Sequence, residues 1–148
     1  MKSKPMATLK FCFHMCNDVP AMRVFYGDLL GLETSGGAAE DGYVSVSVGV
    51  ELLFFKGDFE LPVHQKFAWQ PGYRSGSANL SSWAIEMDED TFTETARRLA
   101  NATLPKLPTR PEWRKDSYWA QTLRDPMGNT VEIYWVPKQK PDSLDWLD

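Results

Sequence analysis

Two cysteines in a chain of 148 residues are too few for a disulfide framework. Cys12 and Cys16 fall in one apparent strand, where about 3.3 Å per residue puts their Cα atoms roughly 13 Å apart, too far to bridge. Thiols kept reduced in the cytosol fit this spacing. Long apolar runs are missing as well: nothing approaches the roughly 18 consecutive apolar residues of a membrane span, and the opening MKSKPMATLK has no signal-peptide core. A cytoplasmic location is the default expectation. Charge of one sign is also scarce. Sixteen basic residues against 20 acidic give a balance of −4 with no basic run, which argues against nucleic acid or an anionic membrane as the main partner. The small-residue stretch from Ser75 to Ala78 is too short for a phosphate loop and lacks its Lys.

What the chain does have is order. Its length suits one compact domain, or two small modules sharing a core. Leu9 to Met15 has a strand's length and apolar character, and NDVPA then supplies helix-start chemistry: Asn17 or Asp18 as cap, Pro20 in the first turn. Met22, Phe25, Tyr26 and Leu29 follow at helical spacing until Gly31. Residues 43–55 then alternate, turn near Gly49 and continue as a second strand.

The second half repeats this sequence of elements. Ser82 to Met87 reads as a strand, Asp88 to Asp90 as caps, and TFTETARRLA as a helix with Phe92, Ala96 and Leu99 on one face and Glu94 and Arg98 as an i,i+4 pair. Leu104 to Pro111 reads as a proline-rich linker. After it, YWAQTLRD turns at DPMGN into TVEIYW, because proline presets φ while Gly and Asn accept backbone angles that other residues avoid. The closing strands share a pattern, GVELLFF against TVEIYW, with Glu51 answering Glu132. A carboxylate inside an otherwise apolar strand is turned either to water or into a cavity.

NDVPAMRVFYGDLLGLE (residues 17–33) and DPMGNTVEIYW (residues 125–135) resemble the signatures of the vicinal oxygen chelate superfamily, the glyoxalase, bleomycin-resistance and extradiol-dioxygenase group. The resemblance runs from about residue 9 to residue 137. It implies an α+β fold: two βαβββ modules, residues about 7–60 and about 78–137, whose curved mixed sheets enclose a cavity, followed by a tail over 138–148, all within one domain. It also implies homodimers. It implies less about chemistry, since one fold hosts many functions.

In metal-using members of that group, each module gives a ligand from its first strand, often His, and another, often Glu, from its last. The resemblance places Glu132, and by analogy Glu51, at the terminal ligand positions. The first-strand His lies seven residues ahead of the helix-capping Asp in such members, and that position, counted from Asp18, is Phe11. In the second module the match falls on Ser82, or on Trp83 after a one-residue slip. None of these three is a good ligand for a borderline or hard divalent ion. Strand parity groups His14 with Cys12 and Cys16, opposite Phe11, Phe13 and Met15, so His14 is expected to face the helix layer, and a β-bulge would reverse this. His64, in ELPVHQKF, is expected in solvent. Both cysteines read as small packed hydrophobes rather than nucleophiles.

Aromatic residues make up 13% of the chain, enough to supply cavity walls. Trp69, Tyr73 and Arg74 lie in the long connection from Lys56 to Asn79, a length typical of a lid or binding loop. Tyr118, Trp119 and Tyr134 flank the strand pair carrying Glu132. Trp83 reads as core; Trp69 and Trp119 read equally as cavity or core. Glu132 is expected in the cavity, its alternative being a structural carboxylate paired to Arg124 or Arg114, and Glu86 is either a second cavity acid or an exposed edge residue. The tail offers Leu144, Trp146 and Leu147 behind a Ser143 cap, to dock on a partner subunit or cover a cavity mouth.

The expectation is therefore a binding protein without metal or other cofactor. It would take a small aromatic or cationic molecule through Glu132, Glu51, Glu86, Phe11, Trp69, Trp119 and Tyr134. The alternatives are a metal-dependent lyase, transferase or dioxygenase in which Glu51, Glu132 and a rearranged His14 hold a divalent ion, and a structural partner using a sheet edge or the tail for protein contacts.

Overall fold

The computed structural model describes residues 6–36, 42–71 and 76–147. Two modules repeat one order of elements. The first is β1 (Phe11–Cys16), α1 (Val19–Arg23) running into a π-helical segment (Val24–Leu29), β2 (Glu33–Ser35), β3 (Tyr43–Val48) and β4 (Val50–Lys56). The second is β5 (Ser82–Glu86), α2 (Glu89–Ala100), β6 (Lys106–Arg114), β7 (Tyr118–Arg124) and β8 (Thr130–Trp135). Each forms a four-stranded mixed sheet, ordered β1-β4-β3-β2 and β5-β8-β7-β6, with the first strand parallel to the last. This is the expected α+β architecture of paired βαβββ units.

Local chemistry sets the helix boundaries. The Asp18 carboxylate accepts from the Ala21 amide at 2.9 Å, and Asp88 accepts from Thr91 at 2.8 Å, each satisfying a donor that the first helical turn leaves free. Within α2 the expected Glu94–Arg98 pair does not form. Glu94 pairs with Arg97 at 2.9 Å, while Arg98 reaches across to the first module and donates to the Leu29 carbonyl at 3.0 Å. Arg98 lies on the side of α2 that meets the other helix, where an unmade backbone hydrogen bond would cost more than an exposed ion pair returns.

The stretch read as a linker is largely strand. Pro108 and Pro111 sit in β6, whose register with β7 is interrupted between Leu107 and Glu112. As an edge strand, β6 can carry residues that donate no ladder hydrogen bond.

One core joins both modules. Met22, Phe25, Tyr26, Leu30, Val44, Val46 and Phe54 from the first meet Ile85, Phe92, Leu99, Val131 and Ile133 from the second. The tail folds back on its own chain: Trp146 packs edge-on against Phe92 and Trp119, with ring centroids 5.5 and 5.1 Å away. It therefore completes the second module's core rather than closing a cavity mouth. The turn DPMGN is pinned beneath the long connection. His64 N–H donates to the Met127 carbonyl at 3.0 Å, and a Cβ on Gly128, at φ 79°, would lie 2.1 Å from the His64 carbonyl oxygen. Only glycine suits both that angle and that approach.

Candidate functional site

Strand alternation gives each sheet a face packed on the helices and an opposite face. In the first sheet Cys12, His14 and Cys16 share the helix side with Leu52 and Phe54. Phe11, Phe13 and Met15 lie on the other face with Glu51, Leu53 and Phe55, and the register pairs Phe11 with Glu51. In the second sheet the opposite face carries Ser82, Ala84 and Glu86, then Glu132 and Tyr134, then Ala120 and Thr122. Ala84, not Ser82, stands beside Glu132, so Ala84 is the partner corresponding to Phe11, two residues from the expected position and on the same face.

The two terminal-strand carboxylates have different surroundings. Glu51 accepts hydrogen bonds from the hydroxyls of Ser45 and, at 2.8 Å, Ser47, across the hairpin that turns at Gly49. These bonds, Ser45 first, hold its pKa below the usual carboxylate range. Glu132 is buried, at 7% exposure, and Arg114 Nη1 lies 3.2 Å from its Oε1. Arg114, itself 5% exposed, also bonds Glu112 at 2.9 Å and Thr122 at 2.8 Å. Burial pushes the Glu132 carboxyl up, against the opposing pull of Arg114. Pairing to Arg114 was one of the readings open for Glu132; Arg124 lies elsewhere.

Beside this pair, Tyr118 and Tyr134 meet edge to face at 5.4 Å, and the Tyr134 hydroxyl donates to Glu86 at 3.1 Å. Burial, then the Glu86 hydrogen bond, raises the Tyr134 phenol. Glu86, Tyr134, Ala84 and Trp83 line a cavity of about 450 Å³ along the seam between the sheets, closed from the first module by Ser47, Val48 and Leu52. Among the described residues the cavity wall carries a carboxylate and two aromatic rings but no Lys or Arg. Glu51 stands behind Ser47, so the seam brings together Glu86, Tyr134 and, through that serine, Glu51. Phe11 remains on the outer face of the first sheet, stacked on Phe13 with centroids 6.0 Å apart.

The other expected site residues separate. Trp119 lies in the core, at 4% exposure between Trp113 and Trp146, because its parity in β7 directs it to the helix side. Trp69 is half exposed on the long connection, which runs over the second sheet: Ala68 N–H donates to Thr130 Oγ1 at 2.7 Å, and Thr122 donates to Gln70 at 3.0 Å. Tyr73, Arg74 and Ser75 lie outside the described residues.

His14 is wedged between Phe54 and Trp83, at 5.5 and 4.7 Å, on the face away from Glu51. Burial lowers its pKa, while the charge of Asp125 raises it. His64 is exposed, yet both histidines line one polar cavity of about 280 Å³ with Asn79, Ser81 and Asn129. A divalent ion of the kind held by metal-using proteins of the vicinal oxygen chelate group does not fit the donors present. Phe11 and Ala84 occupy the first-strand positions beside the glutamates, Arg114 takes up Glu132, and His14 faces away. Among the described residues no group of three His, Cys, Asp or Glu side chains is placed to hold a metal ion.

Some of this arrangement is visible in the sequence. Ser45 and Ser47 share parity with Glu51 about the Gly49 turn, a signal for hydrogen-bonded neighbours. The reach of Arg114 into the sheet and the path of Gln70 across it depend on tertiary placement and leave no local pattern.

Solved structures align with most of the chain. A lactoylglutathione lyase from Agrobacterium tumefaciens shares 23% identity over 89% of this chain and 96% of its own, with a TM-score of 0.58. Oxidase ChaP-H2 shares 21% over 90% and 96%, with a TM-score of 0.62. A glyoxalase/dioxygenase from Nostoc punctiforme shares 17% over 93% and 100%, with a TM-score of 0.64. No protein-family model and no curated protein matches the chain. The fold is that of the vicinal oxygen chelate group, and the chemistry must be argued from the residues.

Proposed function

We propose that this protein binds a small aromatic or other flat organic molecule without using a metal, in the seam between its two sheets, and prefers such a molecule when it carries a positive charge. The observation that carries the reading is the Glu86–Tyr134 pair, 3.1 Å apart, in the wall of a cavity of about 450 Å³ whose lining also includes Trp83 and, among the described residues, no basic one. A carboxylate beside aromatic rings favours a cation with an apolar body, and cation–π contact adds about 0.5–2 kcal/mol. The volume falls in the range usual for ligand sites, roughly 300–1,000 Å³. Glu51, behind Ser47, adds negative potential nearby without being free to ligate, while Arg114 offsets the charge of Glu132.

The protein works as a homodimer in the cytoplasm in this reading. Phe11, Phe13, Met15 and Tyr43 are 49, 67, 48 and 37% exposed on one sheet face, an apolar surface suited to a second copy. Both cysteines are free, as in a reducing compartment. The metal-dependent lyase, transferase or dioxygenase reading needs Glu51, Glu132 and His14 around one point, and these lie on different faces.

Calorimetry with N-methylquinolinium and the neutral bicycle 2-naphthol tests the reading. The cation should bind at least about tenfold more tightly, and Glu86→Gln should erase the difference, as loss of a charge-assisted contact implies. Equal affinity for the neutral ring overturns it. So does failure of the cation to bind while Zn²⁺, Ni²⁺, Mn²⁺ or Fe²⁺ raises the melting temperature strongly.

A further inference from the structure

A second cavity, of about 520 Å³, lies on the helix side of the molecule between the first helix and the DPMGN turn. Its walls are apolar side chains from three places: Ala21, Val24 and Leu29 along the helix, Val63 on the long connection, and Leu104 with Pro105 ahead of β6. The helix is π-helical over Val24–Leu29, a geometry found in well under 1% of residues and frequent at functional sites.

Among the described residues, one Lys or Arg reaches this cavity. Arg124 lies at the end of β7, with its guanidinium carbon 4.9 Å from the centroid of the Phe67 ring. It donates from Nη1 to the His64 carbonyl at 3.2 Å, and its Nε is buried with no hydrogen-bond partner among the described residues. It forms no ion pair with any described carboxylate, unlike Arg97 and Arg114. The acid next to it in sequence is already committed. Asp125 accepts from Tyr26 at 2.7 Å and from Met127, from Asn129 N–H and from the Asn129 side chain at 2.8, 3.0 and 2.9 Å, which uses its lone pairs within the turn. A half-buried guanidinium with donors to spare, at one end of an apolar groove, calls for an anion with an apolar body.

We infer that this groove is a binding site for a small amphipathic monocarboxylate, the acid seated on Arg124 and the chain or ring lying along Val24, Leu29 and Leu104. The guanidinium fork matches a carboxylate in two-point geometry, and Phe67 beneath it fixes the plane of that fork. The site is separate from the seam cavity and prefers the opposite charge, so either can fail without the other.

The test is a titration of the full chain with octanoate, octanol and octylamine, followed by amide and Arg Nε NMR shifts. Octanoate should bind saturably and move Ala21, Val24, Leu29, Leu104 and the Arg124 Nε signal. Octanol should bind at least about tenfold more weakly, the usual consequence of losing a hydrogen bond to a charged group, and octylamine more weakly still. Arg124→Gln should bring octanoate down to the octanol level. Val24→Trp, at a half-exposed position that tolerates bulk, should weaken octanoate while leaving the melting temperature unchanged. Equal binding of octanol and octanoate would mark the groove as a plain apolar contact surface and overturn the inference. It also falls if octanoate does not saturate, if the shifts gather on Phe11, Phe13 and Phe55, or if the groove signals move with protein concentration alone, as for a second copy.

Discussion

The Arg114 guanidinium stands 3.2 Å from the Glu132 carboxylate, with 4 and 9% of the two side chains exposed. Neither charge has ready access to water, so the pair is held less by its mutual attraction than by the cost of separating it. Removing one partner of such a pair typically costs about 3–5 kcal/mol, whereas replacing both with apolar groups of similar volume is close to neutral. Arg114→Met should therefore lower stability in urea by about 3–5 kcal/mol, and adding Glu132→Leu should recover most of that. A loss under about 1 kcal/mol for the single variant would mean that Glu132 relaxes to solvent. The loss should also grow with pH. Glu132 has a raised folded pKa, so its contribution is fully present below the ordinary glutamate value and is lost as pH rises through the folded one. Without Arg114 that folded pKa rises further, which widens the window in which the ionised form opposes folding.

Tyr26 is fully buried and donates to Asp125 at 2.7 Å, tying the first module's helix to the second module's turn. Burial raises the Asp125 carboxyl, and the Tyr26 hydrogen bond is the first of the contacts that pull it back. Tyr26→Phe removes a donor that favours the ionised form, so its cost appears where Asp125 is ionised and shrinks as the acid protonates. Urea unfolding should show a loss of about 1–3 kcal/mol near pH 8 and a distinctly smaller one near pH 4. A loss that is the same at both ends would make the tyrosine's role one of packing alone.

The fold was legible wherever one periodicity ran unbroken. Asp18 and Asp88 announced their helices by capping chemistry, and Val44 to Val48 announced a strand by alternation. β6 was hidden because Pro108 and Pro111 read as linker, and their meaning changes only once the strand is known to lie at an edge. The π-helical segment was hidden for a related reason: Met22, Phe25, Tyr26 and Leu29 fit a regular helix well enough, and the wider turn emerges from packing. At the site, the parity of Phe11 and His14 could be read correctly, since a strand without a bulge permits only one answer. The pairing of Glu132 with Arg114 could be named only as one of several readings, because the two residues lie on strands joined through β7. Trp119 shows the limit of reading an aromatic residue near a site as a site residue, since parity sent it to the core.

The outer face of the first sheet supplies the clearest test of assembly. Phe11, Phe13, Phe55 and Tyr43 form a row of rings, with successive centroids 6.0, 5.9 and 5.8 Å apart, and Phe13 at its centre is 67% exposed. β1 is also an edge strand, so apolar side chains and unpaired backbone groups present themselves together. An isolated protein seldom leaves such a surface bare, and a second copy is the occupant that the homodimer proposal names. Phe13→Lys puts a charge in the middle of this surface, where burial against a partner would require desolvating it. Sedimentation velocity should then show a dimer for the natural chain and a monomer for the variant at the same concentration. Urea stability of the variant monomer should stay within about 0.5 kcal/mol of that of the natural chain extrapolated to low concentration, because the side chain is exposed there. A natural chain that sediments as a monomer at high concentration would end the dimer proposal, and a variant that remains dimeric would move the interface to another face.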